Sequence, residues 1–455
     1  MKCLSARCAT LLILLGALNS RAWCQDTEPN IVPLPPMPAI GNSYQVARAA
    51  ATDGLWGEAQ ISPVQMSPVQ PSPLQSPAQL SPMQKDSPTL STDYSDALKG
   101  GCESCSTCLG GGMNCWNNHY IYANALVMSA LKPCEFVTSV DDVSGASRLG
   151  FGSREFGNIW RGGFEIGAGW CFGGGCGGGG PNCALELVYW GLFPTATRVR
   201  TFQDLSSTID FGDLDYNGTN ANAAFTNAQA QAIHSSFGFN SVEANLVGNS
   251  WGGGPFGCGM CGCCGGRSGS PWGFGYTAGF RYINFFDRFL FSSSPSFDLA
   301  TDPAALNYQV ATTNNLFGFQ LGAGLSYCCA QRFTLYVIGK AGIYDNSVTT
   351  LQRVYGLQGD AVINNGTFAG QSFDVRTAAR STLATSGQID LGGRWAINNS
   401  WSVNAGYRVL GLAGVATTDV NIRNNNFHDV DGIASPSRCG SFLLHGVYAG
   451  AVYCW

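Results

Sequence analysis

The chain has 455 residues, of which only 12 % are charged, with a net charge of −5 and a pI near 5.4. That is about half the charge of an ordinary soluble domain, and no basic run is present to follow a phosphate backbone, which excludes nucleic acid as a partner. Aromatic residues make up 12 % and glycines number 60, so a chain disordered throughout is excluded as well.

The N-terminus, MKCLSARCATLLILLGALNSRAWC, reads as a secretory signal over residues 1–24. Lys2 and Arg7 form a basic start, residues 9–18 are apolar, and Ala22 and Cys24 supply small residues for cleavage before Gln25. Ten apolar residues fall short of the ~20 that cross a bilayer as a helix, and no later segment reaches that length. Residues 25–100 are rich in Pro, Ser and Gln, with a Ser-Pro-x-Gln repeat in SPVQMSPVQPSPLQSPAQLSPMQ. Proline fixes φ and removes a donor, so this segment is expected to be an extended, disordered spacer. A Cys-rich segment, 101–118, follows it.

From about His119 the pattern changes to period 2, the mark of strands with two unlike faces. In WRGGFEIGAGWC, Trp160, Phe164, Ile166 and Trp170 alternate with Arg161, Glu165 and glycines. The same alternation recurs in GFGYTAGFRY, LFGFQLGAGLSY and WSVNAGYRVL. One face is apolar and edged by aromatics; the other is glycine, amide and charge. That is inside out for a soluble sandwich and fits a transmembrane antiparallel β-barrel over 119–455. Strands are predicted at 119–130, 160–171, 183–193, 236–248, 273–286, 314–328, 332–345, 379–397, 400–410 and 441–455. The first and fourth alternate poorly, and a bulge near Asn240 is expected in the fourth. Longer polar connections (131–159, 194–235, 287–313, 346–378 and 411–440) alternate with short or Cys/Gly-rich ones. An even count of ten, within a range of eight to twelve, puts both termini in the periplasm of a Gram-negative-type envelope.

The phrases GFRYINFFDRF (279–289), TNNLFGFQLGAG (313–324) and LHGVYAGAVYCW (444–455) resemble the putative β-barrel porin family abundant in planctomycetes. The resemblance implies an outer-membrane barrel and transfers no catalytic or binding residue. The terminal Trp455 also resembles the aromatic ending of outer-membrane strands.

Of the 19 cysteines, Cys3, Cys8 and Cys24 leave with the signal. Fourteen of the rest fall on the periplasmic side: Cys102, Cys105, Cys108, Cys115, Cys171, Cys176, Cys183, Cys258, Cys261, Cys263, Cys264, Cys328, Cys329 and Cys454. Cys-x2-Cys spacing at 102/105 and 258/261 has the form of a zinc site, and CESCSTC that of an iron–sulfur run. Export favours disulfides over both, some of them to other molecules. Cys134 and Cys439 lie on the outer side beside the barrel seam and are expected to pair with each other.

Inward positions carry Arg161, Glu165, Glu186, Glu243, Arg281, Lys340, Asp390, Arg394 and Arg408. Four acids against five bases suit a ladder of ion pairs better than a selectivity ring, because buried charges need partners. Among the histidines only His428, beside Asp429 and Asp431, suggests chemistry. Without a serine motif, phosphate loop or metal-ligand helix, neither an enzyme nor a cofactor is expected. Two functions compete: a small passive pore for small solutes, or a structural, disulfide-cross-linked envelope barrel without transport. The partners expected are outer-membrane lipid and, through disulfides, the cell wall or other envelope proteins.

Overall fold

The computed structural model describes residues 119–455 apart from 132–135, 143, 152–159, 173–181, 252–270, 331, 399 and 423–424. The expected signal, spacer and Cys-rich segment lie outside the described residues, as do Cys134, Cys176 and the four cysteines of 258–264.

Ten long strands form a closed antiparallel barrel: β1 (His119–Leu131), β2 (Trp160–Phe172), β3 (Asn182–Ser207), β4 (Ala228–Trp251), β5 (Trp272–Ser294), β6 (Leu306–Ala330), β7 (Phe333–Gly356), β8 (Asp374–Ala396), β9 (Trp401–Val415) and β10 (Gly440–Cys454). Each pairs with its neighbours in the chain, and β1 against β10 closes the ring from Tyr120↔Cys454 to Leu131↔Leu443. Closure removes the free edges that an open sheet would expose to lipid.

The period-2 pattern sorts by environment. Ile121, Ile166, Leu187, Val242, Leu246, Leu321, Val337, Leu391, Val403 and Val447 are exposed on the outside. Bulky aromatics bound this band at both ends. Trp170, Trp272, Tyr327, Trp395, Trp401 and Trp455 lie at the end with short turns, and Trp160, Phe193, Tyr282 and Tyr407 toward the end with long loops. An apolar exterior between two aromatic girdles is the surface that a bilayer requires.

Several strands continue past the predicted ends. β3 runs to Ser207, β4 starts at Ala228, β5 reaches Ser294, β6 starts at Leu306, β7 reaches Gly356 and β8 starts at Asp374. The segments expected as polar loops, 194–235, 287–313 and 346–378, are therefore largely strand. The irregularity expected near Asn240 is present but sits in the partner strand: Asn240 pairs with Gly191 and Asn284, and the register shifts just beyond it, where Leu192/Thr195 of β3 lie opposite Phe239/Phe237; further shifts lie at Phe202/Leu205 of β3 and at Asn249/Trp251. The alternation looked irregular because the inward face changes chemistry along the strand. Ile233, Phe237 and Phe239 are buried inside near the loop end, and Glu243 and Asn245 are buried inside further down. β1 does the same, passing from inward Asn124 to Leu126 and Met128.

Candidate functional site in the barrel interior

Short turns fix the strand phase at one end. Between β8 and β9 the Asn398 side chain accepts hydrogen bonds from the Ser400 and Trp401 amides. With phase set, every second residue faces inward, and chemically distinct layers stack along the axis.

The layer at membrane level is polar. Arg408 of β9 bridges Glu165 of β2 and Asp390 of β8, the latter at 2.6 Å. Gln388 Nε2 donates to Asp390 (2.8 Å), and Arg281 Nη1 donates to Gln388 Oε1 (3.0 Å). Arg281 Nε lies 3.4 Å from Glu243, which also receives Lys340 Nζ at 2.9 Å and Gln320 Nε2 at 2.7 Å. Asn124 donates to Glu165 (2.7 Å) and takes a bond from Asn404 (3.1 Å). The chain Glu165–Arg408–Asp390–Gln388–Arg281–Glu243–Lys340 thus joins side chains from six strands that do not all adjoin in the sheet, so it crosses the interior. The Arg281 and Glu243 side chains are 0 % and 2 % exposed. Water cannot solvate them, and each charge depends on its partner.

The other inward charges lie outside this chain. Glu186 accepts from the Tyr120 hydroxyl at 2.8 Å. Arg161 stacks on Phe237 at 5.2 Å, and Arg394 on Tyr336 at 5.5 Å. Inward glycines leave space that aromatic rings occupy. A Cβ at Gly169 would enter the Tyr120 ring and one at Gly406 the Tyr448 ring. The inward glycines therefore do not by themselves open the lumen, because tyrosines from the neighbouring strand fill what glycine vacates.

An aromatic layer follows toward the loop end. Trp190 packs on Phe239 at 4.5 Å, and Phe442 lies 4.7 Å from Phe285 and 5.6 Å from Phe237. Leu126, Leu316, Tyr344, Leu410 and Leu444 complete the cluster. Arg281 and Arg408 lie against Trp190 from below at 5.7 and 5.3 Å, which joins the two layers.

The mouth holds the connection between β9 and β10. Asn314 Nδ2 donates to the Ala416 carbonyl (2.7 Å) and its Oδ1 accepts from the Ala416 amide (2.9 Å). Asp287 accepts from the Thr418 amide and hydroxyl (2.9 and 2.6 Å), and Gln352 donates to the Asn421 carbonyl (2.9 Å). Phe427, fully buried, stacks on Phe211 at 5.1 Å and meets Tyr308 and Phe373 edge-on. His428 Nδ1 pairs with Asp213 of the β3–β4 connection at 2.7 Å. Its sequence neighbour Asp429 instead caps a short helical turn by accepting from the Gly432 amide. Burial opposes ionisation of Asp213, but hydrogen bonds from Asn365 and His428 outweigh it and hold the carboxyl below its usual range.

Sequence reading missed Gln388, Gln320, Trp190, Phe442 and Phe427. Within β5 a signal existed. YINFFDRFLF carries large apolar residues in both phases, Tyr282, Phe286 and Leu290 in one and Ile283, Phe285, Phe289 and Phe291 in the other, as befits a strand with lipid outside and an aromatic core inside. Among the cysteines, Cys171, Cys439 and Cys454 are disulfide-bonded. The Cys183 sulfur lies 3.9 Å from the Tyr276 hydroxyl, that of Cys328 lies 3.7 Å from Thr334, and Cys329 is exposed. Among the described residues no His/Cys/Asp/Glu group has the form of a metal site.

No curated protein matches the chain. Solved structures that align with it include the outer membrane protease OmpT of Escherichia coli, at 11 % identity over 76 % of this chain and 99 % of the other, with a TM-score of 0.34. A major outer membrane protein from Thermus thermophilus aligns at 10 % identity over 73 % and 99 %, with a TM-score of 0.26. The P. putida toluene transporter TodX aligns at 8 % over 77 % and 91 %, with a TM-score of 0.19. The family described as Putative beta barrel porin-7 (BBP7) matches residues 223–455, which takes in all of β4 to β10. An outer-membrane β-barrel with this match over half its length belongs to the putative beta barrel porin-7 family.

Proposed function

We propose that the protein is a porin-type barrel for small solutes that rests in a closed state. The observation that carries this reading is the make-up of its filling. The membrane-level belt consists of charges and amides, the lining that a path for polar solutes needs, while the Trp190–Phe239–Phe442 layer and residues 416–422 and 425–437 lie across the path above it. Planar-bilayer recording tests it. The wild type is expected to be silent or to open rarely. Replacing residues 418–436 with a short Gly-Ser connection, together with Phe442→Ala, should give frequent unit steps. Frequent steps from the wild type would overturn the closed state; silence from the opened variant would overturn the pore.

A second reading, a structural barrel cross-linked through disulfides, is favoured by Cys171, Cys439 and Cys454. The β1–β10 register ends at Leu131↔Leu443, three residues before Cys134 and four after Cys439, which supports a Cys134–Cys439 bond at the seam. Peptide mapping without reduction tests that pairing. A reducible high-mass ladder on gels, beside silent bilayers, would favour the structural role. The signal at 1–24, the periplasmic placement of both termini and the spacer facing the cell wall belong to the same proposal. Protease protection in intact cells tests the placement.

A further inference from the structure

The outward face of β3, β4 and β5 just beyond the loop-end girdle is cationic. Arg198 of β3 sits opposite His234 of β4 in the ladder, Arg200 follows two residues on, and Arg288 of β5 lies in the adjacent row opposite Ser236. Phe193 and Phe286 mark the top of the apolar band on the same faces. Arg288 is two residues past Phe286, about 7 Å along the strand, and its guanidinium lies over that ring at 5.4 Å. This is headgroup height.

On β4 and β5 the sector holds no compensating charge, and on β3 the nearest carboxylate, Asp204, follows Arg200 by four residues, at a register shift. The outward residues of β4 from 230 to 240 are Ala, Ala, His, Ser, Gly and Asn, and those of β5 from 280 to 292 are Phe, Tyr, Asn, Phe, Arg, Leu and Ser. Neither stretch contains a carboxylate; Asp287, between them in sequence, faces inward and is buried. Among the described residues Arg198, Arg200 and Arg288 form no ion pair. An intramolecular role would have supplied an acid, as it does for Arg376 with Asp374 at 3.0 Å.

We propose that Arg198, Arg200 and Arg288 form a docking surface for the phosphate of a lipid headgroup in the leaflet at the loop end. The occupant follows from charge complementarity and from continuity with the lipid-facing band. Acyl chains would lie along Val242, Phe280 and Phe286, which brings a phosphate within reach of the arginines, and guanidinium forks match phosphate oxygens in pairs. His234 adds a donor between Arg198 and Arg288.

The test uses the full-length barrel, delipidated in detergent and titrated with dioleoyl phosphatidic acid or dioleoyl phosphatidylcholine, with retained lipid counted by native mass spectrometry. The wild type should prefer the phosphatidic acid. The Arg198→Ser/Arg200→Ser/Arg288→Ser variant should lose that preference by about a hundredfold, as three arginines at a charged interface imply. The corresponding triple Lys variant should keep most of it, and millimolar inorganic phosphate should not displace the lipid. Arg288→Gln alone, the mildest change, should weaken retention several-fold. Absence of preference in the wild type, equal retention by the Ser and Gln variants, or displacement by inorganic phosphate would overturn the proposal.

Discussion

Replacing Arg408 with Met removes the one cation between Glu165 and Asp390. Both carboxylates are buried, and the hydrogen bonds left to them come from Asn124 and Gln388, which are neutral. Breaking a buried pair by deleting one partner costs about 3–5 kcal/mol, because the other charge stays behind uncompensated. Arg408 serves two carboxylates, so the upper half of that range applies. The neutral triple variant Arg408→Met/Glu165→Gln/Asp390→Asn leaves no stranded charge and should recover to within about 1 kcal/mol of wild type. Denaturant unfolding in detergent or vesicles measures both. Trp190, in contact with Arg408, reports by fluorescence, and the mobility of unheated samples on gels reports closure of the barrel. A single variant that loses less than about 1 kcal/mol, or a triple variant no better than the single, would refute the view that the belt consists of mutually dependent charges.

Three further outcomes are expected. Gly406→Leu drives a side chain into the Tyr448 ring and should cost at least ~1–3 kcal/mol, read in the same unfolding assay, while exposed Leu391→Val should cost much less. Phe442→Ala empties the centre of the aromatic layer and should cost about 3–5 kcal/mol, with a shift in Trp190 emission as its signature. Asp213→Asn weakens the clasp on His428 and should raise hydrogen exchange in 425–435 without changing the membrane-level strands. Because the folded Asp213 carboxyl sits below its unfolded value, its contribution is complete above that value and fades as pH falls through the lower folded one. Exchange in 425–435 should therefore rise in acid for the wild type and change less with pH in the variant.

The ten strands and their closure were legible because lipid imposes one rule on every outward residue of the membrane band. Val242, Phe280 and Leu321 all obey it. Beyond the girdle water replaces lipid, and the rule inverts. Arg288 faces out while Phe289 and Phe291 face in, so alternation keeps its phase but exchanges its chemistry. A reading keyed to an apolar exterior ends each strand where that exchange occurs, which is why the extensions of β3 to β8 passed for loops. The inward charges were legible by parity alone. Their connections were not, since Arg408 reaches Glu165 across 243 positions of sequence and the order of charged residues along a chain does not encode partners across a lumen. The 416–437 segment was opaque for a related reason. Its anchors, Asp287 and Asn314, lie on strands far away in the chain.

The rim is lopsided. Strands β3 to β8 have 23 to 26 residues, while β1, β2, β9 and β10 have 13 to 15. One flank therefore rises as a six-stranded parapet and the other stops near the lipid. Along β8 the pairing with β9 begins only at Thr385, so residues 374–384 form the parapet's outer margin, with no described strand on their far side. A bare margin of that kind invites another extended chain to zip on, and surface charge is the usual deterrent. Arg376, locked to Asp374, stands at that margin. Stripping the charge from that pair would turn a guarded border into the first place where two such barrels, or a barrel and a stray peptide, could join sheets.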